Sequence, residues 1–469
     1  MRKAAVLLFN NNASFFSSHQ RKLTPVMAAD VLGRLVAELV DELGVTYRQR
    51  VFTPYMTLYA FLSQVLADDG SCRRAIIEVA SILRSRRKKS CSTATGSLCK
   101  AKKRLPLALL QAIVRRLGQD LNTGDKEVWA HGRVLVVDGT GFSMPDTKSN
   151  GGEFVRHGAG TRKSAQAASN VGFPVGRMVG LFSLATGAVI DLAISTWKGK
   201  GSGEISSLNR IWACLKPGDT LLGDALFSAY YVVAKALADG VFIVTELKKT
   251  SYWRIKANFE NQIIEIDRPR WNSNSSSISQ AEHDALPSKI RVRIVKITCA
   301  PKGFRPKTKF ILTTHLDSKK ITNADIAGLY RQRWQVELYF RSIKTTLGMD
   351  IVRSKTAEMV VKEVWMHMMA YNLVRGAMSA VAQTRRCLPR EISFRATLQA
   401  LSTWRLLTAC NGAAGGQDDL INMLSSGPLV GQRPDRYEPR AIKRRPKGYK
   451  LLVHSREVAK TMLHKKSKK

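Results

Sequence analysis

Two short apolar runs in this chain lead straight into an aspartate, Val134-Leu135-Val136-Val137-Asp138-Gly139 and Leu221-Leu222-Gly223-Asp224. Each reads as a β-strand that ends in an acid at the rim of a sheet, beside a turn. One strand-end aspartate usually means no more than that turn. Two in one sheet can converge on a divalent cation, because Mg2+ prefers oxygen ligands and accepts one or two protein carboxylates together with substrate phosphate.

The surrounding sequence frames these strands. Residues 1–130 read as mostly helical, with Leu58, Phe61, Leu62, Val65 and Leu66 at helical spacing. Cys72 to Leu83 reads as one helix, followed by a basic loop from Arg84 to Lys89. A second helix carries Lys100, Lys102, Lys103 and Arg104. Such a pair suits a helix-turn-helix reader of the major groove, and it equally suits a solvated basic helix. From about residue 131 the character turns to β. Phe173 to Thr196 gives two strands turning at Thr186-Gly187, and Thr220 to Leu222 gives a further short strand. Residues 241–316 hold strand-like runs at Val241–Thr245, Lys289–Thr298 and Lys309–Thr314 around a polar loop, Asn272–Ser279. A helical region begins near Asn323 and continues past Arg375. It gives way to a Gly-rich break at Gly412–Gly416 and a tail containing Arg440, Lys443, Arg444, Arg445, Lys447 and Lys465 to Lys469.

A chain of 469 residues has room for two or three domains. Its formal charge of +39 far exceeds what solubility needs and implies a polyanionic partner, with nucleic acid ahead of an anionic membrane. There is no apolar run long enough to span a bilayer. The start, Met1-Arg2-Lys3 followed by Ala4 to Phe9, breaks at Asn10-Asn11-Asn12 without a small-residue cleavage site and argues against export. The seven cysteines form no Cys-x2-Cys pair and read as reduced cytosolic thiols.

Near residue 337 the sequence carries a third acid in a distinctive setting. On a regular helix, Tyr330, Arg333, Glu337 and Lys344 fall within an arc of roughly 60°. Leu329, Val336, Phe340, Ile343 and Leu347 form the neighbouring apolar stripe that would pack against the sheet. Arg333 and Glu337 could equally be an ordinary i,i+4 surface pair.

The spacing Tyr330-x2-Arg333-x3-Glu337-x6-Lys344 resembles the Y-R-E-K signature of the bacterial insertion-sequence transposases of the group numbered four, in all four residues and all three gaps. Asp138-Gly139-Thr140 with Met144-Pro145-Asp146-Thr147 is similar to the family's first acidic motif, and Gly223-Asp224-Ala225-Leu226-Phe227-Ser228 to its second. Leu347-Gly348-Met349-Asp350 and Tyr371-Asn372-Leu373-Val374-Arg375 extend the likeness. It covers roughly residues 130–376, and more loosely 50–106. Ala225 departs from the larger polar residue many relatives carry there.

The resemblance implies an α/β fold, a ribonuclease-H-like mixed sheet with a β-rich insertion at about 241–316 and helical regions at both ends. The implied division is a DNA-binding region 1–130, a catalytic domain 131–376 and a helical C-terminal region with a basic tail, 377–469. It further implies a DNA transposase that binds the terminal inverted repeats of an insertion sequence and cuts and joins its ends. Asp138, Asp224 and Glu337 would bind two Mg2+ ions, for which Mn2+ can substitute. Tyr330, Arg333 and Lys344 would hold DNA phosphates, with Lys100, Lys102, Lys103 and Arg104 adding DNA contacts. The expected partners are transposon-end and target DNA, bound by a homodimer in a synaptic complex in the cytoplasm at the nucleoid. A nuclease of the same fold and an inert DNA-binding remnant are the competing readings.

Other residues near the proposed core carry plainer expectations. Asp146, Asp191 and Glu204 read as turn or capping residues. His157 sits in a Gly-rich loop and reads as structural. Trp253 and Trp271, in the segment where this family places base-stacking aromatics, read as core residues. Trp334 either lines the site or packs.

Overall fold

The computed structural model describes residues 29–67, 69–85, 91–122, 128–156, 172–248, 262–272, 277–299, 307–411, 417–427 and 429–430, with short pieces at 457–458 and 461–462. His157, Trp253, the Gly412–Gly416 break, the basic tail, most of the basic loop after Arg84 and the first twelve residues lie outside the described residues.

Among the described residues, the helices before the first strand are α1 (Ala29–Glu42), α2 (Pro54–Leu66), α3 (Cys72–Ser85), α4 (Gly96–Arg104) and α5 (Leu107–Asp120). The start of α2 is set locally. Thr53 caps it by accepting from the Met56 N–H, and Pro54 occupies the first turn, where its missing N–H costs nothing. The strands are β1 (Val134–Ser143), β2 (Val175–Ser183), β3 (Val189–Thr196), β4 (Thr220–Gly223), β5 (Phe242–Glu246), β6 (Ile263–Asp267), β7 (Lys289–Cys299) and β8 (Lys307–Thr313). Short helices α6 (Lys148–Glu153), α7 (Glu204–Ile211), α8 (Tyr230–Ala238) and α9 (Gln280–Asp284) lie between them. After the sheet come α10 (Asn323–Arg331), α11 (Gln335–Arg341), α12 (Ala357–Arg385), α13 (Phe394–Asn411) and α14 (Gln417–Ser425).

Among the described residues, the eight strands join one mixed sheet in the order β3-β2-β1-β4-β5-β8-β7-β6. The first three are antiparallel neighbours, β1, β4 and β5 run parallel, and β5, β8, β7 and β6 alternate direction. The segment 241–316 therefore does not stand apart from the sheet: β5 is one of its parallel strands, and β8, β7 and β6 extend the sheet sideways from it. Ile263–Asp267 forms a strand that the sequence reading passed over, because three of its five residues are exposed and its apolar pattern is weak.

Strand alternation divides the interior in two. Val134 and Val136 face one hydrophobic cluster, while Leu135 and Val137 face the other. The larger cluster gathers α10, α11 and α12 together with α1, α2 and α5, so most N-terminal helices share the sheet's core. Only α3 and α4, with one side of α2, pack around a small cluster of their own. Helix α12 is buried on all sides from Val364 to Ala382, a pattern that suits a central element. Its Asn372 accepts from the Val189 N–H at 2.8 Å and donates to the Val189 and Val114 carbonyls, pinning β3 and α5 to α12. Tyr371 donates to the Gly187 carbonyl at 2.8 Å at the β2–β3 turn, where Gly187 takes the left-handed φ of +74°.

Among the described residues no helix is long and apolar enough to cross a membrane. Cys72, Cys99, Cys214 and Cys387 carry unbridged thiols.

Candidate active site

Asp138 lies inside β1, which runs on to Ser143. The strand does not stop at the acid, because its antiparallel pairing with β2 continues, with Asp138 opposite Gly180. What ends at this level is the parallel pairing with β4, whose last partner pair is Val136 and Leu222. Asp138 thus sits where β4 gives out, and Asp224 follows the last residue of β4 directly. Both acids share the parity of Val136 and Leu222, so the sheet aims them toward the face covered by α10–α12.

Local contacts hold each acid. Asp138 Oδ1 accepts from the Gly139 N–H at 2.8 Å. Asp224 caps a short 3-10 turn, accepting from the Leu226 N–H at 2.8 Å, and the Thr245 hydroxyl donates to its backbone carbonyl. Burial pushes the Asp138 carboxyl up to about 6; the Asp224 and Glu204 charges add to this, while the Gly139 N–H and Arg333 oppose it.

Glu337 arrives from the other layer, in the first turn of α11. It accepts from Arg333 Nη2 at 3.1 Å, and Arg333 Nη1 lies 3.9 Å from Asp138 Oδ2. The i,i+4 pair is therefore present, but it is not a solvated surface pair: the Arg333 side chain is 18% exposed and spans two of the three acids. Burial alone would lower the Arg333 pKa, yet Tyr330, Glu337 and Asp138 hold it higher still, so it stays a cation. Lys344 pairs with Asp350 at 3.0 Å. Asp138, Gly139, Glu337, Lys344 and Asp350 help to line one open cavity of about 430 Å3.

The segment carrying the signature is not one regular helix. Between α10 and α11 the chain tightens into a 3-10 turn, Gln332–Trp334, and after α11 it widens into a π-turn, Ser342–Thr346. A π-turn often marks a functional site. The expected apolar stripe of Leu329, Val336, Phe340, Ile343 and Leu347 is buried throughout. Tyr330 departs from the expectation for it. It is only 5% exposed, and its hydroxyl donates to Glu246 Oε2 at 2.9 Å. An aromatic ring next to Leu329 at the start of the stripe gains more from burial than from exposure, which the uniform helix did not capture.

Several other expectations need correction or placement. Lys102 is buried, with its ammonium on Gln64 Oε1 at 2.7 Å and over the Phe61 ring, so it is spent inside the N-terminal helices. Lys100, Lys103 and Arg104 are exposed. Asp146 pairs with Arg156 at 2.8 Å, and Asp191 with Arg115 at 3.0 Å. Trp271 donates to the Ile278 carbonyl at 3.4 Å, and Trp334 is 54% exposed. Glu204 is not a bystander. It opens α7 on the opposite face of the sheet, and a Cβ on Gly139 would fall 2.6 Å from its carboxyl carbon. Gly139 is thus needed for the approach of Glu204 rather than for a turn. Nothing local in the sequence announces that contact, since it joins residues on separate elements.

Among the described residues no three of Asp, Glu, His and Cys form a ready metal cage. The donors nevertheless suit a hard cation. Asp138 and Asp224 offer oxygen ligands from adjacent strands, and Mg2+ needs only one or two protein carboxylates. Glu337 lines the same cavity as Asp138 and is held by Arg333.

The family model described as a transposase DDE domain matches residues 129–373. Among curated proteins, the transposase InsG for insertion sequence element IS4 of Escherichia coli (strain K12) is 26% identical over 336 residues, which is 68% of this chain and 70% of that protein. Among solved structures, the piggyBac transposase in a synaptic complex with hairpin DNA is similar at a TM-score of 0.41 and 10% identity, covering 89% of this chain and 86% of that one, a likeness too loose to carry an argument.

Proposed function

Because this chain belongs to the transposase DDE-domain family, in the insertion-sequence group whose signature it carries, we propose that it cuts an insertion sequence at its terminal inverted repeats and joins the freed 3′ ends to target DNA. The chain is a DNA transposase, a polynucleotidyl transferase by family. The strand order is consistent with a ribonuclease-H-like core, β3-β2-β1-β4-β5, that the antiparallel strands β8, β7 and β6 extend. Under this reading residues 1–130 bind DNA, 131–376 carry the chemistry and 377–469 add a helical region and basic tail.

The observation that carries the mechanism is the nearness of Asp138 to Asp224 at the end of β4, with Asp138 and Glu337 lining one cavity. These three would hold divalent metal, Mg2+ or Mn2+, which supplies charge neutralisation at phosphorus and an activated oxygen nucleophile. The chain's own residues supply position. Asp138 and Asp224 are fixed by backbone N–H groups, so their oxygens need little rearrangement. Arg333, with its forked donors, and Lys344, as a point charge, leave their carboxylate partners for DNA phosphates, which offer the same chemistry with more charge. Lys100, Lys103 and Arg104 give a second cationic face for the DNA backbone. A homodimer would bring two transposon ends together near target DNA, in the cytoplasm at the nucleoid.

Asp138→Ala, Asp224→Ala and Glu337→Ala should each abolish strand cleavage on end-containing DNA with Mg2+ while leaving end binding intact. A variant that still cuts at more than about a few per cent of the parent rate removes its residue from the site. Strand cleavage without any strand transfer by the parent would favour the nuclease reading instead.

A further inference from the structure

We propose that Glu204 is a fourth carboxylate of the metal centre, reaching it from the face of the sheet opposite α10–α12. This rests on the reading of Asp138, Asp224 and Glu337 as metal-holding acids and adds a residue to that set.

The sheet leaves a place where its two faces can meet. Helix α7, which Glu204 opens, packs its Leu208 and Ile211 into the same cluster as Leu135 and Val137, on the side away from the signature segment. Past Val136, β1 has no β4 partner, so the edge of β1 beside Asp138 and Gly139 is open. Both carboxyl groups sit against Gly139 there. Asp138 Oδ1 accepts from its N–H at 2.8 Å, and a Cβ on it would fall 2.6 Å from the Glu204 carboxyl carbon and 2.7 Å from Oε1. Standard backbone dimensions then hold the two carboxylates within roughly 8 Å of each other. A pair of metal ions about 4 Å apart takes ligands over that span.

An acid in the first turn of a helix has a plainer explanation, its attraction to the helix dipole. That attraction asks for no particular neighbour, whereas this carboxyl is turned onto β1 at a position that only glycine leaves open. Its one ion pair among the described residues is with Arg177, whose Nε lies 3.8 Å from Oε1, beyond hydrogen-bond distance. Arg177 is itself fastened, donating to the Ser202 carbonyl at 3.0 Å and lying 4.6 Å from the centre of the Trp197 ring. Its buried Nε has no hydrogen-bond partner among the described residues. Arg177 thus draws Glu204 to the rim without closing on it, and the carboxylate keeps its lone pairs for another cation. The arrangement mirrors the other face, where Arg333 pairs with Glu337 and extends toward Asp138. Burial pushes the Glu204 carboxyl up; Arg177 opposes this and the Asp224 charge adds to it, while the Glu204 charge in turn pushes Asp138 up. Like charges gathered in this way repel until a dication sits among them.

The test is Mn2+ binding to the full chain on a duplex carrying the inverted repeat that flanks the gene. The paramagnetic resonance signal of free Mn2+ reads it, with the duplex alone as blank. The Mg2+ concentration for half-maximal cleavage and thermal melting in EDTA are measured alongside. Glu204→Gln, which keeps the shape and removes the charge, should weaken Mn2+ binding about ten- to a hundredfold and raise the Mg2+ requirement to match, with melting in EDTA no lower than the parent's. Gly139→Ala should do the same while keeping every charge, because the new methyl displaces the Glu204 carboxyl. Parent-like Mn2+ binding and Mg2+ requirement in Glu204→Gln overturn the proposal. So does a loss in both variants that only accompanies lower melting in EDTA, which would make Glu204 a structural acid. Asp138→Asn and Glu337→Gln separate the two layers. If they lose Mn2+ while Glu204→Gln keeps it, only the fourth carboxylate fails; if they keep it, or if the parent binds no Mn2+ beyond the blank, the three-acid metal centre fails and Glu204 with it.

Discussion

Replacing Asp138 by asparagine should make the metal-free protein more stable at neutral pH, and the structure sets the size of the effect. The Asp138 carboxyl is pushed from its ordinary 3.8 up to about 6, first by burial and then by the Asp224 and Glu204 charges. At about 1.4 kcal/mol per pKa step, holding the charged form costs the folded state about 3 kcal/mol at pH 7. Asparagine keeps the shape and can still accept from the Gly139 N–H, but it carries no charge. A folded-state pKa above the unfolded value means that the folded protein binds the proton more tightly. The parent therefore loses stability as pH rises from about 4 through about 6, while Asp138→Asn does not follow it down. Thermal melting in EDTA from pH 5 to 7.5 should show the variant's advantage growing with pH, to a rise of several degrees at the upper end. Adding Mg2+ should reverse the order, because the metal stabilises only the state that binds it. Equal or lower melting of the variant at pH 7.5 in EDTA would refute the reasoning, as would a difference that does not change with pH.

Other outcomes follow from particular contacts. Asn372→Ala should cost about 2 to 4 kcal/mol in chemical denaturation, because it strands the buried Val189 N–H and carbonyl that Asn372 pairs. Gly118→Ala on α5 should destabilise by about 2 to 3 kcal/mol, since the new Cβ would fall 2.2 Å from the Val189 carbonyl oxygen, which belongs to a strand that cannot swing away. DNA affinity should fall steeply with salt, by about one power of salt concentration per phosphate neutralised, and filter binding across a salt series would read it. A flat response would detach the charge of +39 from DNA binding.

Sequence alone determined what depends on near neighbours along the chain. Short apolar runs marked β1 and β4 with its trailing Asp224, strand-like runs about Thr186-Gly187 marked the β2–β3 hairpin, and helical spacing marked α2, α3 and the buried stripe from Leu329 to Leu347. The spacing of Tyr330, Arg333, Glu337 and Lys344 indicated the family, because a motif survives as spacing even where its geometry is not visible. Tertiary structure decided the rest. Asp138 looked like a strand end because Gly139 follows it, yet the strand continues, and the glycine makes room for Glu204 from across the sheet. Lys102 reads like its basic neighbours, but the turn of α4 sends it inward to Gln64, while Lys103 next to it faces solvent. Tyr330 reads as part of an exposed face, and its burial follows from a 3-10 turn and from Glu246, some eighty residues earlier. Local pattern encodes which face is apolar, because that needs only the helical or strand period. Which polar group meets which is settled when the sheet register brings distant residues together, and the chain carries no local mark of that meeting.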